Sequence, residues 1–134
     1  MGTMKLRIRG NSIRLRVTKR ELARLDTGDA VEERTPFPGG SELRYTLVCL
    51  PKTTQEQVGL HADFTEGILT VGIPQAQIST WAGSEQVGLQ HSQNLPGGDT
   101  LKILIEKDFQ CLAPREGEED VDTFPHPDTA NGGC

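Results

Sequence analysis

The 134-residue chain carries a long-period echo of itself, and that echo restricts its fold more than any single motif. Laying the segment that starts at Met4 over the one that starts at Leu60 brings Met4, Leu6 and Ile8 onto Leu60, Ala62 and Phe64. Both runs alternate, the period of a half-buried β-strand. Turn-rich "GNS" (Gly10 to Ser12) then meets "EGI" (Glu66 to Ile68), and Ile13, Leu15 and Val17 meet Leu69, Val71 and Ile73 in the same phase. Two alternating runs about a glycine-containing turn predict a hairpin in each segment. A helix signal follows each hairpin. Thr18, with Glu21 three residues on, has capping-box spacing; its counterpart Pro74 presets a backbone angle suited to a helix start. Leu22 and Leu25 align with Ile78 and Trp81, three apart and hence on one helical face. Val31 aligned with Val87 predicts a third strand. "PGG" recurs at Pro38 and Pro96, with two extra residues in the second copy's loop, and Leu43, Tyr45 and Leu47 coincide with Leu101, Ile103 and Ile105.

The predicted unit is strand–strand–helix–strand–strand, written twice, at about 4–50 and 58–107. One such unit, of about fifty residues, has too little core to stand alone comfortably. Two of them packed about a pseudo-twofold would close strand edges that otherwise invite aggregation. The expectation is a mainly β (α+β) domain over residues 1–109, a small β-barrel with two short helices, followed by a C-terminal tail over 110–134. Internal pseudo-symmetry favours a monomer. Aromatics are scarce (Trp81, Tyr45 and four phenylalanines), which suits a core of Val, Ile and Leu rather than a large enzyme core. No apolar run approaches a membrane span and no signal-peptide pattern opens the chain, so the expected location is cytoplasmic. Cys49, Cys111 and Cys134 form no Cys-x-x-Cys pair, and reduced thiols are expected in that compartment.

The net charge of −5 hides a polar distribution. Lys5, Arg7, Arg9, Arg14, Arg16, Lys19, Arg20 and Arg24 crowd the start of the chain, while Glu116, Glu118, Glu119, Asp120, Asp122 and Asp128 fill the tail. In a strand of period two, Arg7 and Arg9, and then Arg14 and Arg16, share an outward face while the aliphatics between them point to the core. Such a row neutralises phosphates and gives salt-dependent, sequence-blind binding of nucleic acid, or meets an acidic protein partner. The second copy lacks it, with Asp63, Thr65, Thr70 and Gly72 in the corresponding places. The plainer alternative is a solvated sheet face whose arginines pair across strands with Glu32 and Glu33. A third arrangement folds the acidic tail back over the basic hairpin.

The order of elements, with Gly28-Asp29 after the first helix, resembles the half-barrel of AbrB- and MazE-type swapped-hairpin transcription factors. There, two strand–strand–helix–strand–strand chains interleave into one DNA-binding barrel, so the resemblance implies a fused version of such a dimer over Met4 to about Lys107. Ser84-Glu85 stand at the corresponding place in the second copy. A more extensive likeness lies in "MKLRIRGNSIRLRVTKRELARL" (Met4 to Leu25) and "EKDFQCL" (Glu106 to Leu112). These runs resemble a small bacterial family of domains of unknown function, which implies no activity. Its members often close on a cysteine after Pro-Asn-Pro.

The tail offers Cys111, His126 and Cys134 as soft ligands with carboxylates between them, a donor set zinc accepts. The family resemblance favours Cys111 and Cys134 as the pair, because His126 stands where the related sequences have asparagine. A metal-binding role with zinc as cofactor is thus the alternative to partner recognition, against a plain acidic, glycine-rich chain end. Gly-x-Ser-x-Gly, the phosphate-loop signature and His-Glu-x-x-His are absent, and His61 and His91 have no nucleophile pattern beside them. A non-catalytic domain is expected.

Overall fold

Within residues 3–51 and 59–109, which the computed structural model describes, the chain is mainly β and each reversal falls where the backbone is able to turn. Strands β1 (Lys5–Arg9) and β2 (Ser12–Val17) reverse through Gly10 at φ 55°. Strands β5 (His61–Thr65) and β6 (Ile68–Pro74) reverse through Glu66 and Gly67 at φ 54° and 79°, the two positive angles of a type I′ hairpin turn. Helix α1 (Lys19–Asp26) follows β2, and helix α2 (Gln75–Ala82) follows β6. After them come the hairpins β3 (Val31–Pro36) with β4 (Glu42–Leu50), and β7 (Gly88–Asn94) with β8 (Thr100–Lys107). The observed order is therefore the predicted strand–strand–helix–strand–strand, met twice.

The two helices start by different means. Thr18 is the N-cap of α1, with its hydroxyl accepting from the Glu21 amide and the Glu21 carboxylate accepting from the Thr18 amide, the expected capping box. The helix ends in a Schellman pair, Asp29 N–H to the Arg24 carbonyl and Gly28 N–H to the Leu25 carbonyl, with Gly28 at φ 96° in the position that favours glycine. Pro74 is the N-cap of α2 rather than its first turn and makes no side-chain cap bond. Leu22, Leu25, Ile78 and Trp81 are all buried, as their spacing predicts.

The strands assemble into two four-stranded mixed sheets, β1-β2-β8-β7 and β3-β4-β6-β5. In each, the two central strands, β2 with β8 and β4 with β6, run parallel, and the outer pairings are antiparallel. The expected closed barrel is not formed: among the described residues no backbone ladder joins one sheet to the other. Side chains serve the edges instead. The Gln93 amide on β7 both accepts from the Ala62 N–H and donates to the Ala62 carbonyl of edge strand β5, at 2.7 and 3.0 Å. The Tyr45 hydroxyl donates to the Met4 carbonyl at 3.4 Å, and burial raises the Tyr45 pKa above its usual value. A side-chain amide thus sits where a neighbouring strand's peptide group would close the barrel, and the two sheets face one another across one apolar cluster.

That cluster takes alternate residues from β2, β6 and β8 (Leu15, Val17, Val71, Ile73, Ile103, Ile105) and roofs them with Trp81, Ile78 and Leu25. The alternation runs out at the hairpin tips, where Ile8 and Phe64 are exposed. A second difference concerns the third strand of the second half. Val87 precedes β7 and is 51% exposed, whereas Leu89 is buried opposite Ile105, as Val31 is opposite Leu47. In register, Leu89 therefore holds the place corresponding to Val31, which the sequence alignment gives to Val87. The "PGG" turns at Gly39-Gly40 and Gly97-Gly98 both have positive φ, and each is closed by a bond of 2.8 Å, Phe37 N–H to the Ser41 carbonyl and Leu95 N–H to the Asp99 carbonyl, the second with a further bond from the Gly98 N–H to the Leu95 carbonyl at 3.4 Å.

Candidate anion-binding face

Register decides which side chains share the outer face of the first sheet. Across β1–β2, Lys5 lies opposite Arg16, Arg7 opposite Arg14 and Arg9 opposite Ser12. Across β2–β8, Ser12 lies opposite Lys102, Arg14 opposite Leu104 and Arg16 opposite Glu106. Paired residues point to the same side of a sheet. Because Ile13 and Leu15 are buried with Ile103 and Ile105 beside them in the same sheet, the arginines all face away from the core. Sequence reasoning foresaw Arg7, Arg9, Arg14 and Arg16 together. It missed Lys102, which only the parallel β2–β8 pairing brings onto the same surface, although the alternation of "LKILIEK" marks Lys102 and Glu106 as outward-facing.

The four arginines are not equivalent. Arg14 donates through Nε to Glu106 Oε1 at 2.7 Å and its Nη2 lies 2.6 Å from the same oxygen. Arg16 Nε is 3.6 Å from that oxygen too. Both side chains are only 23% exposed. Lys5 pairs with Asp108 at 3.3 Å, and the Asp108 N–H donates to the Val17 carbonyl at 2.8 Å. Arg7 and Arg9 are exposed, and among the described residues neither has an ion-pair partner. The expected partners Glu32 and Glu33 are wrong for a topological reason: β3 belongs to the other sheet. There Glu32 accepts from Arg34 and from the Thr46 hydroxyl, and the Arg34 bond is the main cause holding the Glu32 carboxyl below its usual pKa.

Two hollows open on this basic face. One, of about 120 Å³, is lined by Lys5, Leu6, Arg7, Arg14 and Arg16. The other, of about 470 Å³, lies towards β7 and includes Ser12, Gln90, Ser92 and Lys102. The corresponding surface of the second sheet is different. Asp63, Thr70, Thr46 and Glu32 run across it in one register row, Arg34 and Arg44 are paired with Glu32 and Glu42, and Leu50 lies over Gly72.

Cys111, His126 and Cys134 lie outside the described residues, as does the tail expected to cover the hairpin. Among the described residues no three His, Cys, Asp or Glu side chains gather as a metal-binding group. His61 and His91 are exposed. No helix among the described residues is long and apolar enough to cross a membrane.

A family model, described as a family of unknown function (DUF7009), matches residues 4–128. The chain belongs to that family. The DUF7009 match takes in both sheets and both helices, and it runs on past Cys111 and His126 while stopping before Cys134. No curated protein matches the chain, and no solved structure matches it.

Proposed function

We propose that this DUF7009 chain is a non-enzymatic binding domain that recognises a polyanion, a nucleic-acid strand or a strongly acidic protein segment, through the outer face of the β1-β2-β8-β7 sheet. The observation that carries the reading is the contrast between the two sheets. One outer face presents Lys5, Arg7, Arg9, Arg14, Arg16 and Lys102 with Glu106 among them. The other pairs both of its β3–β4 arginines with glutamates and carries His61, Asp63, Thr65, Ile68, Thr70 and Gly72 on β5 and β6. A solvated structural face has no need of Arg7 and Arg9, which lack ion-pair partners among the described residues, beside an already crowded row, since like charges opposite one another are destabilising.

An internal duplication fits the same facts. Ser12 opposite Lys102 in β2–β8 corresponds to Ile68 opposite Arg44 in β4–β6, and the two "PGG" turns close through corresponding bonds. Each sheet takes one hairpin from each half, the interleaving that a fused AbrB- or MazE-type dimer would have. On this reading the halves share a scaffold and function resides where they differ.

Binding of a labelled single strand and of a polyglutamate peptide across a salt series tests the proposal; no binding of either at low salt removes it. The double variant Arg7→Ala/Arg9→Ala is expected to lower low-salt affinity about tenfold and to shrink the slope of log K against log salt by about 1.4 for the single strand. Glu106→Gln should act oppositely. Releasing Arg14 and Arg16 from their internal carboxylate is expected to raise affinity by about threefold to tenfold, as an added charge contact would, and unchanged affinity would remove Glu106 as a competitor for the ligand.

A further inference from the structure

The small hollow at the start of the basic face has a charge balance of its own. Its lining puts four cations, Lys5, Arg7, Arg14 and Arg16, around one space of about 120 Å³. The β1–β2 register makes them two directly opposed pairs, Lys5 with Arg16 and Arg7 with Arg14, whose like charges repel. Two carboxylates answer them from the side, Glu106 on Arg14 and Arg16, and Asp108 on Lys5. Four positive against two negative leaves +2, and Arg7 is the member of the set without a carboxylate among the described residues.

We infer that this hollow is a subsite for a doubly charged tetrahedral oxyanion, the terminal phosphate of a nucleic-acid strand. The inference rests on the polyanion reading above and narrows it. A terminal phosphate carries about −1.5 to −2 at neutral pH, which matches the residual charge, whereas each internal diester carries one. The volume is several times the roughly 30 Å³ share of one water and accommodates a group of four oxygens. Arginine forks supply paired N–H donors matched to phosphate oxygens. Among the described residues no aromatic side chain lines the hollow, so it recognises charge and shape rather than a base. Along the same face Arg9 and Lys102 flank Ser12 one step further on, two residues or roughly 6.6 Å beyond Arg14 along the strand direction. That continuation gives the next phosphates of an extended strand a place to follow, and it favours a nucleic-acid strand over a phosphorylated side chain on a protein.

The test uses the full chain, a short single strand labelled at its 3′ end with either a 5′-phosphate or a 5′-hydroxyl, and inorganic phosphate as competitor. The phosphorylated strand is expected to bind about five- to tenfold more tightly, as one added charge-assisted contact to arginine would give, and inorganic phosphate should displace it. Arg7→Ala should abolish the difference between the two strands. Arg9→Ala, outside the hollow, should weaken both strands alike and keep the difference. Equal binding of the two strands with no displacement by phosphate overturns the subsite while leaving the polyanion face intact. Absence of binding by either strand, with polyglutamate bound, overturns it along with the nucleic-acid reading. A phosphoserine peptide that binds more tightly than the phosphorylated strand overturns the assignment to nucleic acid.

Discussion

Trp81→Ala is expected to lower the unfolding free energy by about 3–5 kcal/mol, the range for deleting a buried tryptophan. Helix α2 has little else to hold it. Its N-cap is a proline with no side-chain cap bond, and its first turn carries no acidic residue to complement the helix dipole. Eight residues are too few to stay helical in water on propensity alone, so burial of Ile78 and Trp81, both at most 1% exposed, must supply the stability. The indole adds a polar anchor, because its Nε1–H donates to the Val87 carbonyl at 3.1 Å and so fixes the approach to β7. Alanine removes the ring, leaves a cavity between the helices and the sheets, and leaves the Val87 carbonyl with the Lys107 N–H as its remaining donor, at 2.9 Å. Trp81→Phe keeps most of the volume and loses only the hydrogen bond, for an expected loss of about 1–2 kcal/mol. Urea unfolding followed by far-UV circular dichroism measures both without relying on the fluorophore being removed. A loss below about 1 kcal/mol for Trp81→Ala, small against known core truncations, would mean that α2 is anchored by something other than its buried face.

The sequence announces this asymmetry between the helices, but only in part. Thr18 and Glu21 write a capping box in four letters, because capping is a local exchange of hydrogen bonds between residues three apart. Alternation likewise reports which face of a strand is buried, and it reports it correctly for Leu15, Val71 and Ile105. It does not report which strand lies alongside. That β2 pairs with β8 and β4 with β6, both in parallel, depends on contacts between residues far apart in the chain, and no local period records them. Two errors follow from that single blind spot. The arginines of β2 look towards Glu32 and Glu33 in sequence, yet meet Glu106 in space; and two hairpin pairs that suggest a closed barrel make two sheets, because Gln93 and Tyr45 serve their edges by side chain. The displaced third strand has a different cause. Val87 is apolar and aligns with Val31, but the turn after α1 is the tight Schellman reversal at Gly28, while α2 ends at Gly83 with φ −93° and takes a longer path. Leu89 then fills the buried place.

Glu21→Ala is expected to cost about 2–4 kcal/mol and to weaken the basic face as well. The carboxylate is buried, and both of its oxygens are occupied. Oε1 accepts from the Thr18 N–H at 2.9 Å and the Thr18 hydroxyl at 3.2 Å, while Oε2 accepts from the Met4 N–H at 2.8 Å. Loss of the cap accounts for about 1 kcal/mol, and leaving the Met4 amide buried without an acceptor adds about 1–3 kcal/mol. Glu21→Gln separates hydrogen bonding from packing. It keeps the volume but offers one acceptor oxygen where two sets of donors converge, so its amide nitrogen must face an N–H, and most of the loss is expected to remain. The second half avoids this demand, since Pro74 has no N–H for a helix residue to satisfy. Met4 directly precedes Lys5, and among the described residues β1 pairs only with β2, so Glu21 ties down the free end of the strand that carries Lys5, Arg7 and Arg9. Hydrogen exchange should therefore show β1 amides losing protection beyond the global change, and polyanion affinity measured well below the unfolding midpoint should fall several-fold, as expected when part of the protein leaves the binding-competent state. A Glu21→Ala variant with β1 protected as before and affinity intact would show that the basic strand is positioned by its pairing with β2 alone, and that the buried carboxylate serves only the helix.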